Sequence, residues 1–325
     1  MHPKDIRIVF MGTPDFAVES LKALVENGYK VMGVITAADK PAGRGRQLSE
    51  SAVKKYAIEQ GLNVLQPEKL KNPEFVTQLE SLKADLQIVV AFRMLPEMVW
   101  NMPPLGTFNL HASLLPQYRG AAPLNWAIIN GEKETGVTTF LLDQEIDTGR
   151  ILFQEKISIG ENDSVGDLHD RMMNVGASLV LKTVDALAQG GVEAVEQTAF
   201  IDTAENIKHA PKIFKDDCRI DWTRDTESVR NLIRGLSPYP AAWTELVHSD
   251  GSEIMTAKIY SAIRDDNSLP AKPGTLKSDG KSFLKIACVE GWLSITDIQL
   301  SGKKRMKTDE LLRGFHHIDE WKIKI

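Results

Sequence analysis

Apolar and polar positions follow two different periods along the chain, and the changes of period lay out its elements. Residues 6–11 form a short run rich in β-branched side chains that stops at Gly12. Thr13 then stands as an N-cap with Pro14 at the first helical position, where a missing N–H costs nothing. Phe16, Leu21, Leu24 and Val25 recur at helical spacing until Asn27-Gly28, and residues 30–35 resume as a strand. The chain therefore opens on a βαβ unit. Residues 84–91 predict a strand buried on both faces and Thr107–His111 a further one, each after a helix-like segment. This alternation predicts an α/β fold, a doubly wound, mostly parallel, Rossmann-like sheet.

Past residue 200 the rhythm changes. Residues 200–215 loosen into a polar connection, which places a boundary between domains at 1–205 and 206–325, as a chain of 325 residues invites. A helix near 224–235 is followed by short runs at 254–260, 282–288 and 293–298, punctuated by glycine. Strands of that spacing predict a small antiparallel β-barrel, OB-like, or a sandwich.

Composition changes this picture little. With 42% hydrophobic and 26% charged residues the chain is ordinary for a soluble globular protein. No run approaches the ~18 apolar residues of a membrane span, so no membrane partner and a cytoplasmic location are expected. Cys218 and Cys288, the only cysteines, sit in no motif; they predict buried packing residues, neither a disulfide framework nor a metal cluster. Charge changes it more. Residues 1–205 carry 19 Lys and Arg against 27 Asp and Glu, and residues 206–325 carry 20 against 17, so the net −5 conceals −8 and +3. The asymmetry points the second half toward something anionic. Tyr239 and Trp243 in that half read as barrel core rather than as platforms for stacked bases.

Gly12 is the only glycine of the first turn, so the three-glycine dinucleotide fingerprint is missing and a nicotinamide cofactor is disfavoured. In an open sheet ligands collect at the carboxyl ends of the strands, where Gly12, then Phe92, Arg93, Met94 and Leu95, then Asn109 and His111 emerge. Two residues apart on a strand, Asn109 and His111 point to one face. An amide donor beside an ionisable ring suits a reaction in which negative charge builds on a carbonyl oxygen while a proton leaves a nucleophile. Acyl transfer has that character. Asp147-Thr148-Gly149 alone reads as a turn with an Asp cap, and residues 39–47, rich in glycine, proline and cations, predict a mobile loop.

Several blocks, in order, resemble the methionyl-tRNA formyltransferases: residues 7–17 around Met11-Gly12-Thr13-Pro14, residues 40–45, residues 109–123 beginning Asn109-Leu110-His111, and Asp147-Thr148-Gly149. The resemblance continues through Arg219-Ile220-Asp221-Trp222, Ser237-Pro238-Tyr239-Pro240 and Gly302-Lys303-Lys304, covering nearly the whole chain. It implies transfer of the formyl group of 10-formyltetrahydrofolate to the amino group of initiator methionyl-tRNA, without a metal. By the same resemblance Asn109, His111 and Asp147 surround the formyl carbon, Asn109 as oxyanion donor and His111 as proton carrier. Asp147 either orients the imidazole or relays a proton through water.

The resemblance also implies that Ser113, Leu114, Leu115 and Pro116 line the folate site and that Phe92, Arg93, Met94 and Leu95 hold the pterin ring through backbone atoms. Arg44 and Arg46 would reach the acceptor end of the tRNA, and Lys208, Lys212, Lys215, Lys303, Lys304, Arg305 and Lys307 would extend a basic track. The chain departs from the family pattern at Arg93, Gln117, Glu145 and Arg150, which bears on loop conformation and pterin contacts. The same three polar residues would also serve a folate-dependent formyltransferase acting on an amino-sugar nucleotide or other small amine; the second half favours the tRNA. A monomer is expected, both domains being engaged with one large ligand.

Overall fold

The computed structural model describes residues 2–42, 47–201, 206–265, 269, 271–315 and 317–325. Compactness groups the chain into two units: Met1–Gly120, Glu134–Ser158 and His169–His209 in the first, Ala121–Lys133, Ile159–Leu168 and Ala210–Ile325 in the second.

One sheet organises the first unit. β1 (Arg7–Gly12) leads through helix α1 (Asp15–Glu26) to β2 (Lys30–Ile35). Helix α2 (Ala52–Glu59) precedes β3 (Val64–Leu65), and α3 (Pro73–Ser81) precedes β4 (Leu86–Val90). Then come β5 (Thr107–His111), β6 (Glu134–Leu141) and β7 (Ile151–Ser158). The strands lie in the order β3-β2-β1-β4-β5-β6-β7. Pairing is parallel from β3 through to β5 and antiparallel at β5–β6 and β6–β7. Strand order reverses at β1 and β4, which makes their carboxyl ends the natural ligand crevice. Every residue of β4 is buried, as a strand covered on both faces requires.

At the opposite end of these strands the Arg7 guanidinium grips Asp85 at 3.0 and 2.7 Å, fixing the start of β1 against that of β4. Helix α1 begins one residue later than its sequence signal: Pro14 is the N-cap, and Asp15 places its carboxylate in the first turn, where the helix end is positive.

The second unit carries β8 (Ala242–His248), β9 (Ile254–Asp265), β10 (Leu276–Ser278), β11 (Leu284–Cys288), β12 (Gly291–Leu300) and β13 (Trp321–Ile323). They lie in the antiparallel order β10-β11-β12-β9-β8-β13. Of the two architectures the spacing allows, the structure adopts a nearly closed barrel. Gly274, just before β10, lies so near the chain end that an added Cβ would meet Ile325 at 2.8 Å and Ile323 at 3.5 Å. Helix Thr226–Gly235 closes the core, burying Val229 and Ile233 with Trp222 against the strands. Cys218 and Cys288 belong to this core as free thiols, and burial pushes the Cys288 thiol up to about 12. Arg230 on the same helix donates to the Glu161 carbonyl (2.8 Å) and to Asn162 (2.6 Å), and Arg234 to the Asp163 carbonyl (3.2 Å).

Tyr239 corrects the sequence reading: it is 81% exposed. Pro238 and Pro240 lack the N–H groups a paired strand needs, so β8 starts only at Ala242 and the tyrosine stays in the turn. Trp243 is half-buried at the core's edge, its ring N–H donating to the Lys215 carbonyl at 2.9 Å. Among the described residues, no helix is long and apolar enough to cross a membrane, and no cluster of His, Cys, Asp and Glu is arranged to hold a metal ion.

Candidate active site

β5 sits between β4 and β6, with Asn109 beside Val89 and opposite Phe140, and His111 opposite Thr138. Asn109 is half-buried and His111 is buried, its ring edge-on to Phe140 with centroids 6.5 Å apart. Where the strand ends, the chain enters a loop that Thr138 holds from β6. The Thr138 hydroxyl donates to the Ser113 carbonyl (2.6 Å) and accepts from the Leu115 N–H (3.1 Å). Gln154 of β7 adds a bond to the Leu115 carbonyl at 2.8 Å, and the Ser113 hydroxyl donates to the Gln117 carbonyl at 2.6 Å.

The loop then reverses at Tyr118, whose φ of 62° is left-handed, a conformation that costs a bulky residue about 1–3 kcal/mol. The reversal aims the Tyr118 carbonyl at His111 Nε2, 2.9 Å away. A carbonyl only accepts, so Nε2 carries the proton of the neutral ring and Nδ1 keeps the lone pair. Nδ1 faces Asp147 Oδ2 across 3.9 Å, too far for a direct hydrogen bond. Asp147 is itself left-handed, φ 56°, a conformation that Asp tolerates, and its Oδ2 accepts the Gly120 N–H at 2.9 Å. The Tyr118 carbonyl thus fixes the imidazole, while the carboxylate is fixed separately and meets the other ring nitrogen across a gap. Neither backbone partner is visible as a side-chain motif, although both lie inside the block beginning at Asn109.

Ser113, Leu115 and Pro116 are buried and Leu114 is half-buried, so this segment is packed inward beside His111. The other expected folate segment lies at the carboxyl end of β4, beyond Ala91 with φ 47°. Arg93 and Met94 are exposed there, Phe92 is half-buried and Leu95 joins the core. The Arg93 side chain is anchored: its guanidinium donates to the carbonyls of Pro67 and Glu68, the latter at 2.8 Å. Gly12 of β1 pairs with Val90 at the same rim, and a Cβ there would lie 2.6 Å from that of Ala17, so α1 can pack this close only over glycine.

Around Asp147, Thr148 donates to the Glu145 carbonyl at 3.1 Å and Arg150 reaches Glu196 at 4.0 Å in the open. Arg44 and Arg46 lie outside the described residues. Lys208, Lys212 and Lys303 are exposed, Lys212 with its ammonium 5.4 Å from the Phe214 ring centroid. Lys304 is exposed and pairs with Glu310 at 3.2 Å. Arg305 is more committed. It forks onto Asp297 at 3.0 and 2.7 Å and lies 4.3 Å over the Tyr260 ring. Burial pushes the Asp297 carboxyl up, but Arg305 and Lys307 outweigh it and hold the group below its usual value.

Comparison with known proteins agrees with this architecture. Residues 6–184 match the family described as formyl transferase, and residues 212–316 match its C-terminal domain. A methionyl-tRNA formyltransferase of Bacteroides fragilis is 56% identical over 324 residues, covering 100% of this chain and 99% of the relative. One of Bacteroides thetaiotaomicron is 57% identical over 325 residues, covering 99% of this chain and 100% of the relative. Among solved structures, HypX from Aquifex aeolicus in complex with tetrahydrofolic acid shares the fold, with a TM-score of 0.63 and 19% identity over 96% of this chain and 47% of HypX. With more than half of all positions identical over the full length of two such relatives, the chain belongs to the methionyl-tRNA formyltransferase family.

Proposed function

We propose that the chain transfers the formyl group of 10-formyltetrahydrofolate to the free amino group of methionyl initiator tRNA, which prepares that tRNA for translation initiation. The observation that carries the reading is the poised imidazole of His111: Nε2–H is committed to the Tyr118 carbonyl, and Nδ1 faces Asp147 across 3.9 Å on the strand that also bears Asn109. When bound, 10-formyltetrahydrofolate supplies the formyl carbon as an activated amide. Asn109 donates its amide N–H to the formyl oxygen as negative charge builds there. His111 takes on Nδ1 the proton released by the attacking amine, and Asp147 stabilises the resulting cation. The same nitrogen returns that proton to the nitrogen from which the formyl group departs.

In this reading Phe92, Arg93, Met94 and Leu95 hold the pterin by their backbone, and Ser113, Leu114, Leu115 and Pro116 close the site beside His111. Residues 1–205 carry the chemistry. Residues 206–325, with Arg44 and Arg46, meet the tRNA, Lys208, Lys212, Lys303, Lys304 and Arg305 lying toward its phosphates. The enzyme acts as a cytoplasmic monomer.

The test is direct: incubate the protein with 10-formyltetrahydrofolate and methionine-charged initiator tRNA and analyse for formylmethionine. No product with active reagents, or equal turnover of free small amines, rejects the reading.

A further inference from the structure

Residues 185–211 fall between the two family matches. Two parts of this stretch nevertheless reach the candidate site. Val195 exchanges backbone hydrogen bonds with Ile151 at the start of β7, 2.8 Å in each direction. Gln197 follows and is 2% exposed. Its Nε2 donates to the carbonyls of Asp147 (2.8 Å) and Gly149 (2.9 Å), and its Oε1 accepts from Arg119 Nε (3.0 Å) and Nη2 (2.6 Å). One buried carboxamide therefore holds the turn presenting Asp147 and also Arg119, whose neighbour Gly120 gives the N–H that fixes the Asp147 carboxylate. Further along, the Lys208 carbonyl accepts the Tyr118 N–H at 2.6 Å, and the Lys208 N–H donates to Gln117 Oε1 at 2.8 Å. Tyr118 is the residue whose carbonyl fixes His111.

We propose that Gln197 is a positioning residue for formyl transfer, and that its bonds to the Asp147 turn and to Arg119 set the distance between His111 Nδ1 and Asp147. The inference rests on the roles given to those two residues above. Asp147 follows the exposed residues 143–146; the Thr148–Glu145 bond braces its turn from within, and Gln197 holds it from outside at the carbonyls of Asp147 and Gly149. Removing Gln197 strips partners from two carbonyls and a guanidinium at a buried point, and the turn must shift to recover them. A displacement of about 1 Å at a reacting constellation costs on the order of 100-fold in rate.

The test compares full-length Gln197→Ala, Gln197→Glu and Asp147→Asn. Gln197→Glu keeps an acceptor for Arg119 but loses the N–H donors, so it probes the bonds to the turn even where Gln197→Ala folds poorly. Both Gln197 variants are expected to lose about 100-fold in kcat per folded molecule, with KM for both substrates unchanged and the pH–rate profile displaced. An inactive Asp147→Asn beside a folded Gln197 variant with wild-type kcat and pH profile overturns the proposal. So does a Gln197 variant that loses thermal stability alone. Full activity in Asp147→Asn rejects the underlying site reading, and the positioning role of Gln197 with it.

Discussion

His111 illustrates how a backbone group can decide what a side chain proposed to move a proton has to offer. Because the Tyr118 carbonyl claims the Nε2 proton, the ring has one basic atom to offer, and it points at Asp147. His111→Ala is accordingly expected to abolish formyl transfer while leaving tRNA binding nearly intact, as read by single-turnover kinetics beside a filter-binding isotherm. Asn109→Ala, which removes the proposed oxyanion donor, is expected to lower kcat by about 10²–10³-fold. Full rate in either variant would assign that residue a structural role only. At this scale the sequence makes the side chains legible: two polar residues of period two at a strand end identify themselves. Their supports are not legible, since the Gly120 N–H has no side chain and Gln197 meets Asp147 from 50 positions away.

Among the elements, β1 and β4 can be read from largely apolar runs, because burial on both faces leaves little room for polar side chains, whereas β5 alternates Thr107, Asn109 and His111 with Phe108 and Leu110. The limits of pattern appear at Tyr239, where apolar character suggests core but two flanking prolines hold the residue outside. Another element-level feature is the clasp on β13. His248, ending β8, bonds Asp250 at 2.6 Å and Glu320, next to β13, at 3.1 Å, while His317 approaches the other oxygen of Glu320 at 3.7 Å. Asp250 first, and then Glu320, raise the His248 pKa above its ordinary value near 6.5. A raised folded-state value means that the clasp stabilises fully below about pH 6.5 and is lost as pH climbs through the raised value. Melting temperature followed across that window should decline less in His248→Ala than in the parent protein; parallel curves would show that the clasp contributes nothing.

For the whole molecule, the sign change of charge between the halves has to be divided between surface and structure. Lys303 and Lys304 are exposed, whereas Arg305 shields a buried carboxylate. Lys303→Ala with Lys304→Ala should weaken tRNA binding and flatten its dependence on salt by about one to two released counterions, with thermal stability unchanged. Arg305→Ala should in addition destabilise the protein by about 1–2 kcal/mol, the exposed half of the pair and the neighbouring Lys307 limiting the loss. A denaturant titration beside the salt series separates the two classes, and identical behaviour of all three residues would refute the division.

The two compact units exchange chain at residues 120, 133, 158, 168 and 209. Arg230 and Arg234, far along the sequence, find their acceptors at residues 161–163. A chimera of two relatives spliced at residue 205 would therefore draw the donors of those bonds from one parent and the acceptors from the other. Two of those acceptors are backbone carbonyls that any residue supplies, so the side-chain match such a chimera must keep is the one between Arg230 and Asn162.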